Sequence, residues 1–581
     1  MAMTGAQAIV ECLKREGVEY VFGMCGHTNL AMLDALADSG IRFISVPHEQ
    51  IAAHAADCYY RITHKPGVVL TTIAPGLSNA LVGILDAAAD CSSVVVISGN
   101  VPTSYIGRDA FQELSTHSDA AQHEVVRPVV KRAWQVQDPG LLTHTIARAF
   151  NYALSGRPGP VLVDVPMDLF SYVGEFEIPE LTRRRPLAGR PAGDPDAIAQ
   201  AVRLLSEAQR PVIFAGGGVL LSEASAELTK LAEYMGLPVI TSMIAQGAID
   251  NAHPLHFGFT GSVGTPTAND LARQADVALA IGTRFSEMDC NSWLPQHFFP
   301  TDCKVIQVDI EPTEIGKVIP VELGIVGDAR RVLAQLLEAA QTGAPPADWR
   351  AAPRFRELDA RRKAWADELR AAQASSSEPL ELERVIADLR AVMPDDGILI
   401  AGVGPRHLVG QHYPVRRPQT HIVASGNGTM GLAVPGALGA KLGRPDVPVV
   451  ALVGDGEFRS VSQSLAPAVE YGIPVVWVVL NNYGFNIITL YQHRHFERSY
   501  GTEFKVEENG SDYNPDFVAM ARAYGAEGRR VERAEDLKAA LEEAIAANRP
   551  YVLDVVVTKT PRIRASGYWD ANRFIRPGWN L

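Results

Sequence analysis

The chain has 581 residues, of which 47% are hydrophobic and 20% charged, a composition typical of a soluble globular protein that is too long for one hydrophobic core. Its formal net charge of -13 argues against a nucleic-acid partner, because phosphate backbones are bound by basic surfaces, although a small anionic substrate can still bind in a local cationic pocket. No apolar run is long enough to cross a membrane and the N-terminus lacks the apolar segment of a signal peptide, so we expect a cytoplasmic protein with no membrane partner.

The cysteines are scattered and form no CxxC pair. This usage is typical of buried thiols in a reducing compartment rather than of a disulfide framework or a zinc site. The six positions are Cys12, Cys25, Cys58, Cys91, Cys290 and Cys303.

The predicted elements begin with an amphipathic helix that Thr4 caps. Short apolar strands then alternate with helical stretches, which is the pattern of parallel sheets with helices on both faces. The first predicted domain is 1–179. Its clearest strands are 67–74, 93–99 and 160–166. A linker rich in proline and arginine follows at 178–193.

The second predicted domain is 190–345. Its strands lie in the stretches 210–219, 276–284 and 304–312. A charged stretch, 349–373, indicates a surface helix that leads to the third domain, 375–560. A tail rich in aromatic residues and arginine ends the chain at 561–581. The sequence therefore predicts an α/β fold with three doubly wound parallel-sheet domains.

Two motifs of the third domain indicate a metal–diphosphate site. The GDG turn around Asp455 follows the apolar run 449–453, and Asn481–Asn482 follow the apolar run 475–480. Because the carboxyl ends of parallel strands meet at one edge of a sheet, we expect these groups to lie close together. Carboxylate and amide oxygens suit Mg²⁺, and Gly456 lets the backbone approach a phosphate. A GDG turn alone is common; the GDG–NN pair at this spacing is specific.

At this point the sequence resembles the thiamine diphosphate enzymes of the acetolactate synthase and pyruvate decarboxylase superfamily. The similarity covers nearly the whole chain and is strongest to acetolactate synthase large subunits. It implies a pyrimidine-binding first domain, a middle domain and a diphosphate-binding third domain. The implied Mg²⁺ ligands are Asp455, Asn482 and the carbonyl of Gly484. Further implied cofactor contacts are Gly404, Gly456 and Glu457.

The loop that contains Gly404 departs from the acetolactate synthases. Those enzymes carry polar side chains where this chain has Pro405 and Arg406. The contacts of this loop are therefore left open by the resemblance.

The resemblance assigns the cofactor's pyrimidine end to two other segments. In the run 43–61, Glu49 stands where the family's glutamate bonds the pyrimidine N1′ and so helps the cofactor's amino group act as a base. The alternative is a surface glutamate in the first turn of a helix. In the run 423–440, Gly428 and Met430 would bind the pyrimidine edge, and Met430 would wedge the cofactor into its bent form. The alternative for Met430 is core packing.

Several first-domain residues are implied to face the substrate. The turn at Pro75–Gly76 would approach the cofactor, and Phe111 and Gln112 would face the substrate, with plain core as the alternative for Phe111. His27 would shuttle a proton or bind an oxyanion, unless it is structural.

The stretch 481–504 indicates the type of reaction. Simple decarboxylases place a glutamate where this chain has Ile488, and an apolar residue there protects the enamine from protonation. This favours carboligation or acyloin cleavage over aldehyde release. The next residues are either a solvated face or a cationic mouth for an acidic or coenzyme A-bearing substrate. They are Tyr491, His493, Arg494 and His495.

We therefore expect a carboligase that forms an enamine from a 2-keto acid and adds it to a second carbonyl. The alternatives are a 2-hydroxyacyl-CoA lyase or a cyclic dione hydrolase, and a non-catalytic nucleotide-binding protein of the same fold. In the middle domain, the glycine run 215–219 with Arg284 and Asp309 would bind FAD or ADP, or its glycines serve close packing only.

The resemblance also implies active sites between the subunits of a homodimer or homotetramer. The tail is expected to close over the active-site mouth as a lid, or else to dock on a neighbouring subunit. Its aromatic residues are Tyr568, Trp569, Phe574 and Trp579. Its arginines would meet a carboxylate or phosphate and are Arg562, Arg564 and Arg573.

Overall fold

A computed structural model describes residues 2–114, 121–179, 190–343, 348–562, 564 and 566–575. Within these residues the chain forms three six-stranded parallel sheets, each covered by helices. The predicted α/β fold is confirmed. Nearly continuous runs of valine, isoleucine and leucine form the central strands, because both faces of each sheet are buried there.

The first sheet has the strand order β3-β2-β4-β5-β7-β6. The strands of this region, including the small antiparallel pair β1–β8, are β1 Met3–Thr4, β2 Tyr20–Gly23, β3 Arg42–Ser45, β4 Gly67–Thr71, β5 Val94–Asn100, β6 Arg132–Gln135, β7 Val161–Pro166 and β8 Val173–Gly174. Its helices are α1 Gly5–Arg15, α2 Leu30–Ala37, α3 Glu49–Thr63, α4 Pro75–Ala89, α5 His123–Val126, α6 Leu142–Leu154 and α7 Met167–Ser171. Thr4 caps α1 as predicted, in a reciprocal capping box with Gln7.

The middle sheet has the order β11-β10-β9-β12-β13-β14. Its strands are β9 Pro211–Ala215, β10 Val239–Thr241, β11 His256–Phe259, β12 Val277–Ile281, β13 Lys304–Asp309 and β14 Leu323–Val326. Its helices are α8 Pro195–Glu207, α9 Gly218–Leu221, α10 Ser225–Met235, α11 Pro266–Gln274 and α12 Ala329–Gln341. The predicted connecting helix is α13 Pro353–Gln373, which buries only Leu358 and Leu369.

The third sheet has the order β16-β15-β17-β18-β20-β19. Its strands are β15 Ile398–Ala401, β16 His421–Val423, β17 Val449–Gly454, β18 Val476–Asn481, β19 Glu527–Val531 and β20 Tyr551–Val556. Its helices are α14 Leu382–Val392, α15 Arg406–His412, α16 Ala433–Gly443, α17 Asp455–Val461, α18 Leu465–Glu470, α19 Asn486–Phe496, α20 Phe517–Tyr524 and α21 Ala534–Ala546.

The first and third domains share one hydrophobic core, in which α3 packs along α16. The helices are so close that a Cβ on Gly439 would stand 1.8 Å from the carbonyl oxygen of Ala55. Only glycine permits this approach, and it brings the ends of α3 and α4 against the segment that precedes α16.

The prediction that all cysteines are buried is wrong. Cys12, Cys58 and Cys290 are buried, but Cys91 and Cys303 are half-buried and Cys25 is exposed in the loop after β2. All six are free thiols in the structure. No helix among the described residues is long and apolar enough to span a membrane.

Candidate active site

The third sheet reverses its strand order between β15 and β17, and this switch point forms an open crevice at the carboxyl edge. Gly404 follows β15 and Gly454 ends β17. Among the described residues, no atom beyond the adjacent residues lies within 4 Å of where a Cβ of either glycine would stand. The two backbone turns are therefore free to accept a bulky group between them.

Asp455 lies at the floor of this crevice and is fully buried. Its Oδ1 accepts a hydrogen bond from the amide of Gly456 at 2.8 Å, and its Oδ2 accepts from the amides of Asn482 and Tyr483 at 3.2 and 2.6 Å. Burial raises the pKa of the Asp455 carboxyl, and these donors oppose that shift. The GDG and NN motifs therefore lie in contact, as predicted.

The two asparagines of the NN motif point in different directions. Asn481 donates its Nδ2 to Asp554 at 2.8 Å and belongs to the interior, whereas Asn482 stays at the crevice with 9% exposure. Asn514 was missed from the sequence. Its Nδ2 donates to Asp455 Oδ2 and Asn481 Oδ1, both at 2.8 Å. No sequence signal marks Asn514, because it stands far along the chain in an irregular loop.

The carboxylate of Glu457 binds backbone amides of its own domain, and the cofactor contact that the resemblance implies for this residue stays a prediction. Its carboxylate accepts from the amides of Val403, Gly431 and Ala433 at 3.0, 3.2 and 3.3 Å. Burial raises its pKa. Both oxygens are therefore used to join the Gly404 loop to the start of α16, and Glu457 acts as a positioning residue.

The first sheet has its own switch point, between β2 and β4. Glu49 begins α3 there with only 3% exposure, so the surface-glutamate alternative is wrong. Its Oε2 accepts from Asn79 Nδ2 at 3.0 Å, and a Cβ on Gly76 would stand 2.9 Å from its Oε1. Among the described residues, neither a hydrogen bond nor an ion pair links Glu49 to the third domain.

The turn before Pro75 and Gly76 is strained. Ala74 has a φ of +20°, a conformation that a non-glycine residue adopts only when its surroundings hold it. The side chain of Gln122 accepts from the Ala74 amide at 2.9 Å and donates to the Gly99 carbonyl and to Asp164. Sequence reasoning missed Gln122, since nothing local connects it with the turn it holds.

The side chains of His27 and Phe111, which lie in two different loops, are in contact. Their ring centroids are 5.6 Å apart, and Phe111 is 75% exposed, so the core alternative for Phe111 is wrong. Gln112 is half-buried with a φ of +66°. This corner presents one aromatic and one polar side chain next to a histidine, a surface suited to a small substrate.

The segment that carries Gly428 and Met430 is held by the far end of α4. Asp90 accepts from the amides of Ser425 and Gly426 at 3.1 and 2.8 Å, and Asp86 accepts from the Thr429 hydroxyl at 2.9 Å. Met430 is 41% exposed, which contradicts the core-packing alternative and leaves its side chain available to a bound group.

A buried charge network supports this contact between domains. Arg61 binds both oxygens of Asp57 at 2.8 and 2.6 Å and pairs with Asp90 at 3.1 Å. His54, Asp57 and Asp86 are close enough to hold a metal ion, but the Asp57 oxygens are already bound to arginine. Burial lowers the pKa of His54 to about 4 and raises that of Asp86 to about 7, so the buried His54 ring is neutral near pH 7.

Helix α19 begins just after the NN motif and carries Ile488, which is 51% exposed. Its backbone entry is strained, since Tyr483 has a φ of +58°. His493 and Arg494 are exposed, while Tyr491 and His495 are half-buried. In the single chain that the structure describes, the side chains of His493 and Arg494 therefore lie at the exposed surface.

The glycine run of the middle domain serves close packing. A Cβ on Gly216 would stand 2.2 Å from the Gly282 carbonyl oxygen, and one on Gly218 would stand 2.6 Å from the Gly282 Cα. Arg284 and Asp309 follow β12 and end β13, respectively, and burial raises the pKa of Asp309 to about 6. Close packing therefore explains the glycines, and they give no support to nucleotide binding. FAD or ADP binding stays a prediction.

The described part of the tail docks on the middle domain of its own chain. The amides of Tyr568 and Asp570 donate to Asn291 and Ser292 at 2.8 and 2.9 Å, and Tyr568 stacks on His297 at 4.4 Å. The expected docking on a neighbouring subunit is not needed to cover these aromatics.

The tail also reaches the third domain. The ring of Trp569 contacts that of Tyr491 on α19 at 5.8 Å. Arg564 pairs with Glu368 and Arg573 pairs with Asp570, so these two arginines are already neutralised. Arg562 and Phe574 are exposed, and Trp579 lies outside the described residues.

Comparison with protein families matches three consecutive stretches of the chain. Residues 3–121 match the N-terminal TPP binding domain of thiamine pyrophosphate enzymes, 198–336 match their central domain, and 402–555 match their C-terminal TPP binding domain. The first and last matches contain Glu49 and Asp455, respectively.

Curated relatives are similar over nearly their whole length. The chain is 35% identical to a probable acetolactate synthase large subunit of Methanocaldococcus jannaschii, over 96% of this chain and 92% of the relative. It is 37% identical to the acetolactate synthase large subunit of Corynebacterium glutamicum, over 97% and 88%. It is 34% identical to that of Haemophilus influenzae, over 97% and 96%.

Proposed function

The chain belongs to the family of thiamine pyrophosphate enzymes that includes the acetolactate synthase large subunits, and on that basis we propose that it joins the acyl carbon of a 2-keto acid to the carbonyl of a second small molecule. When bound, thiamine diphosphate would supply a carbon nucleophile for the donor carbonyl. It would also stabilise the electron pair that remains on the donor carbon after CO₂ leaves. The observation that carries the proposal is the apolar, exposed Ile488 on the helix that follows the diphosphate motif.

The crevice of the third domain fits a magnesium-bound diphosphate. Asp455, Asn482 and the carbonyl of Gly484 would hold Mg²⁺, since these are hard oxygen ligands with a buried carboxylate already oriented by backbone amides. The open sides of Gly404 and Gly454 leave room for the phosphates. The metal would neutralise the diphosphate beside the Asp455 carboxylate.

At the other end, Glu49 would bond the pyrimidine and Met430 would press against the cofactor's rings. The Glu49 carboxylate is buried, and its hydrogen bond from Asn79 fixes its position for a further hydrogen bond to a ring nitrogen. We place the complete site between two subunits of a homodimer or homotetramer. Exposed apolar side chains on α4, Val82 and Leu85, support a covering partner.

The alternatives are less well supported. The relatives bear the name of a synthase, which does not favour a 2-hydroxyacyl-CoA lyase or a cyclic dione hydrolase. A non-catalytic protein would have no reason to keep a buried glutamate at one switch point and an oriented buried aspartate at the other.

Ile488→Glu is expected to divert the reaction from ligation to aldehyde release. A carboxyl at this position can deliver a proton to the activated donor carbon, which the isoleucine side chain cannot do. With pyruvate as donor, we expect the wild type to give mainly ligation product. The variant should raise the ratio of aldehyde to ligation product roughly tenfold or more. Mass spectrometry of the products measures this ratio.

Two matched variants separate acidity from polarity and size. Ile488→Gln adds a polar group without a transferable proton, and Ile488→Val keeps an apolar surface. Both should stay near the wild-type ratio. An unchanged ratio in an active Ile488→Glu enzyme would mean that residue 488 does not face the donor, and a wild type that releases only aldehyde would contradict the proposed ligation.

We propose that the tail acts as a lid, and truncation after Lys559 is expected to raise KM severalfold while the oligomer stays intact. The truncated chain loses the ring contact of Trp569 with Tyr491, through which the tail reaches α19. Steady-state kinetics and light scattering test this together. Trp569→Ala, which keeps the backbone bonds at Tyr568 and Asp570, should show part of the same effect. Normal kinetics after truncation, or dissociation into monomers, would contradict a lid.

A further inference from the structure

A network of hydrogen bonds runs from the edge strand β19 to the carboxylate of Asp455. Arg530 on β19 stands opposite Asp554 on β20, and its Nη1 donates to Asp554 Oδ2 at 2.7 Å. The other oxygen of Asp554 accepts from Asn481 Nδ2 at 2.8 Å. Asn481 Oδ1 accepts from Asn514 Nδ2, which also donates to Asp455 Oδ2, both at 2.8 Å. Residues from three strands and one loop thus stand behind Asp455.

The carboxylates at the two ends fix the direction of this network. A carboxylate that already binds an arginine accepts hydrogen bonds, so Asn481 turns its amide nitrogen to Asp554 and its oxygen to Asn514. Asn514 likewise turns its nitrogen to Asp455. Burial raises the pKa of the Asp554 carboxyl, and the bonds from Asn481 and Arg530 oppose that shift. A flipped amide would bring two oxygens together in the interior, so the observed orientation is the one that satisfies both carboxylates.

Arg530 also reaches Asp455 by a second route, through Tyr483. Its Nη2 donates to the Tyr483 hydroxyl at 3.1 Å, and the Tyr483 amide donates to Asp455 Oδ2 at 2.6 Å. The positive φ of Tyr483, +58°, aims this amide at the carboxylate. One arginine therefore holds both groups that approach the same oxygen of Asp455, and it does so from outside the crevice.

The two oxygens of Asp455 are left in unequal states. Its Oδ2 accepts from the amides of Asn482 and Tyr483 and from the side chain of Asn514. Among the described residues, its Oδ1 accepts only from the amide of Gly456. Each carboxylate oxygen offers two lone pairs, so Oδ2 is saturated and Oδ1 keeps one lone pair for a further partner.

We propose that Asp554 acts through the two asparagines to position Asp455, so that Oδ1 alone faces the metal, and that this arrangement favours Mg²⁺ over Ca²⁺. The inference rests on the metal–diphosphate site proposed above. Mg²⁺ requires a compact octahedral set of oxygens, whereas the larger Ca²⁺ takes more oxygens and can bind both oxygens of one carboxylate. A carboxylate with one oxygen already saturated therefore suits the smaller ion. Asp554, Asn481 and Asn514 are positioning residues, since they act through Asp455.

Asn514→Ala is expected to shift the metal preference toward Ca²⁺. Without this side-chain donor the carboxylate can turn and offer both oxygens. Calorimetric titration of the full chain with each cation, at a fixed concentration of thiamine diphosphate, gives the two dissociation constants. We expect the constant for Mg²⁺ to rise roughly 10- to 100-fold and that for Ca²⁺ to change less than about threefold. Asn509→Ala removes an exposed asparagine from the same loop and should keep the wild-type ratio.

Asp554→Asn tests the remote end of the network with little change of shape. Its amide can donate as well as accept, so the direction of the two asparagines is no longer fixed, and the ratio should move the same way. An unchanged ratio in either variant, or equal weakening of both cations, would overturn the inference, because a loss of stability alone weakens both.

Two further outcomes are distinguishable from these. If neither variant folds, as judged by circular dichroism, Arg530→Met at the exposed end of the network carries the same test, and an unchanged ratio there overturns the inference. If neither cation supports binding of thiamine diphosphate to the wild type, the proposed metal site itself fails, and the inference fails with it.

Discussion

Glu49→Gln is expected to lower exchange of the cofactor's C2 proton and the overall turnover by at least about 100-fold, within the range that general acid–base groups contribute. An amide keeps the shape and the contact with Asn79, but it cannot share a proton with a pyrimidine nitrogen in the way that a carboxyl does. The fold should be retained, because glutamine fills the same buried site at the start of α3. Proton–deuterium exchange followed by NMR measures the effect directly.

The matched control is Glu535→Gln, which changes an exposed glutamate in the first turn of α21. This variant should exchange the C2 proton at the wild-type rate. Binding of thiamine diphosphate should stay within a few-fold of wild type in Glu49→Gln, which separates proton transfer from affinity. Wild-type exchange in Glu49→Gln would refute the role of this carboxyl.

Asp455→Ala is expected to remove Mg²⁺-dependent binding of thiamine diphosphate and to raise its dissociation constant roughly 100-fold or more. Without this carboxylate the metal loses its one charged protein ligand, and the diphosphate loses the cation that neutralises it. Calorimetric titration with and without Mg²⁺ measures both effects. In the wild type, removal of Mg²⁺ by EDTA should weaken binding to a similar extent.

Stability needs its own control, because Asp455 accepts four hydrogen bonds. Its removal leaves buried donors unpaired, at a cost of about 1–3 kcal/mol for each such group. Asp455→Asn keeps an acceptor and should fold while losing the metal. Asp446→Ala removes an exposed carboxylate from the same domain and should change neither stability nor binding. Mg²⁺-dependent binding that survives in Asp455→Asn would show that the GDG motif is only a turn.

The fold could be read from the sequence because its determinants are local. The central strands are short runs of valine, isoleucine and leucine. Such a run indicates that both faces of the sheet are buried, without reference to distant residues. The meeting of Asp455 with Asn482 was equally predictable. Each group follows an apolar strand, and β17 and β18 pair in parallel, so the two strand ends coincide.

Predictions that depended on the surroundings of a single side chain were less successful. Cys25 was expected to be buried and is exposed. The three backbone amides that the Glu457 carboxylate binds were likewise not indicated by any local pattern. The sequence shows which hydrogen-bonding groups a side chain has, but not which neighbouring groups bind them in the folded chain.

The sequence by itself determined the three parallel-sheet domains, the diphosphate motif and the apolar Ile488, since each depends on residues that are adjacent along the chain. Only the tertiary structure decided that Gln122 holds the strained turn at Ala74 and that Asp554 is linked to Asp455 through two asparagines. These contacts join residues that lie far apart along the chain. Their geometry is set by how closely the helices and sheets pack, and no local pattern of residues records that packing.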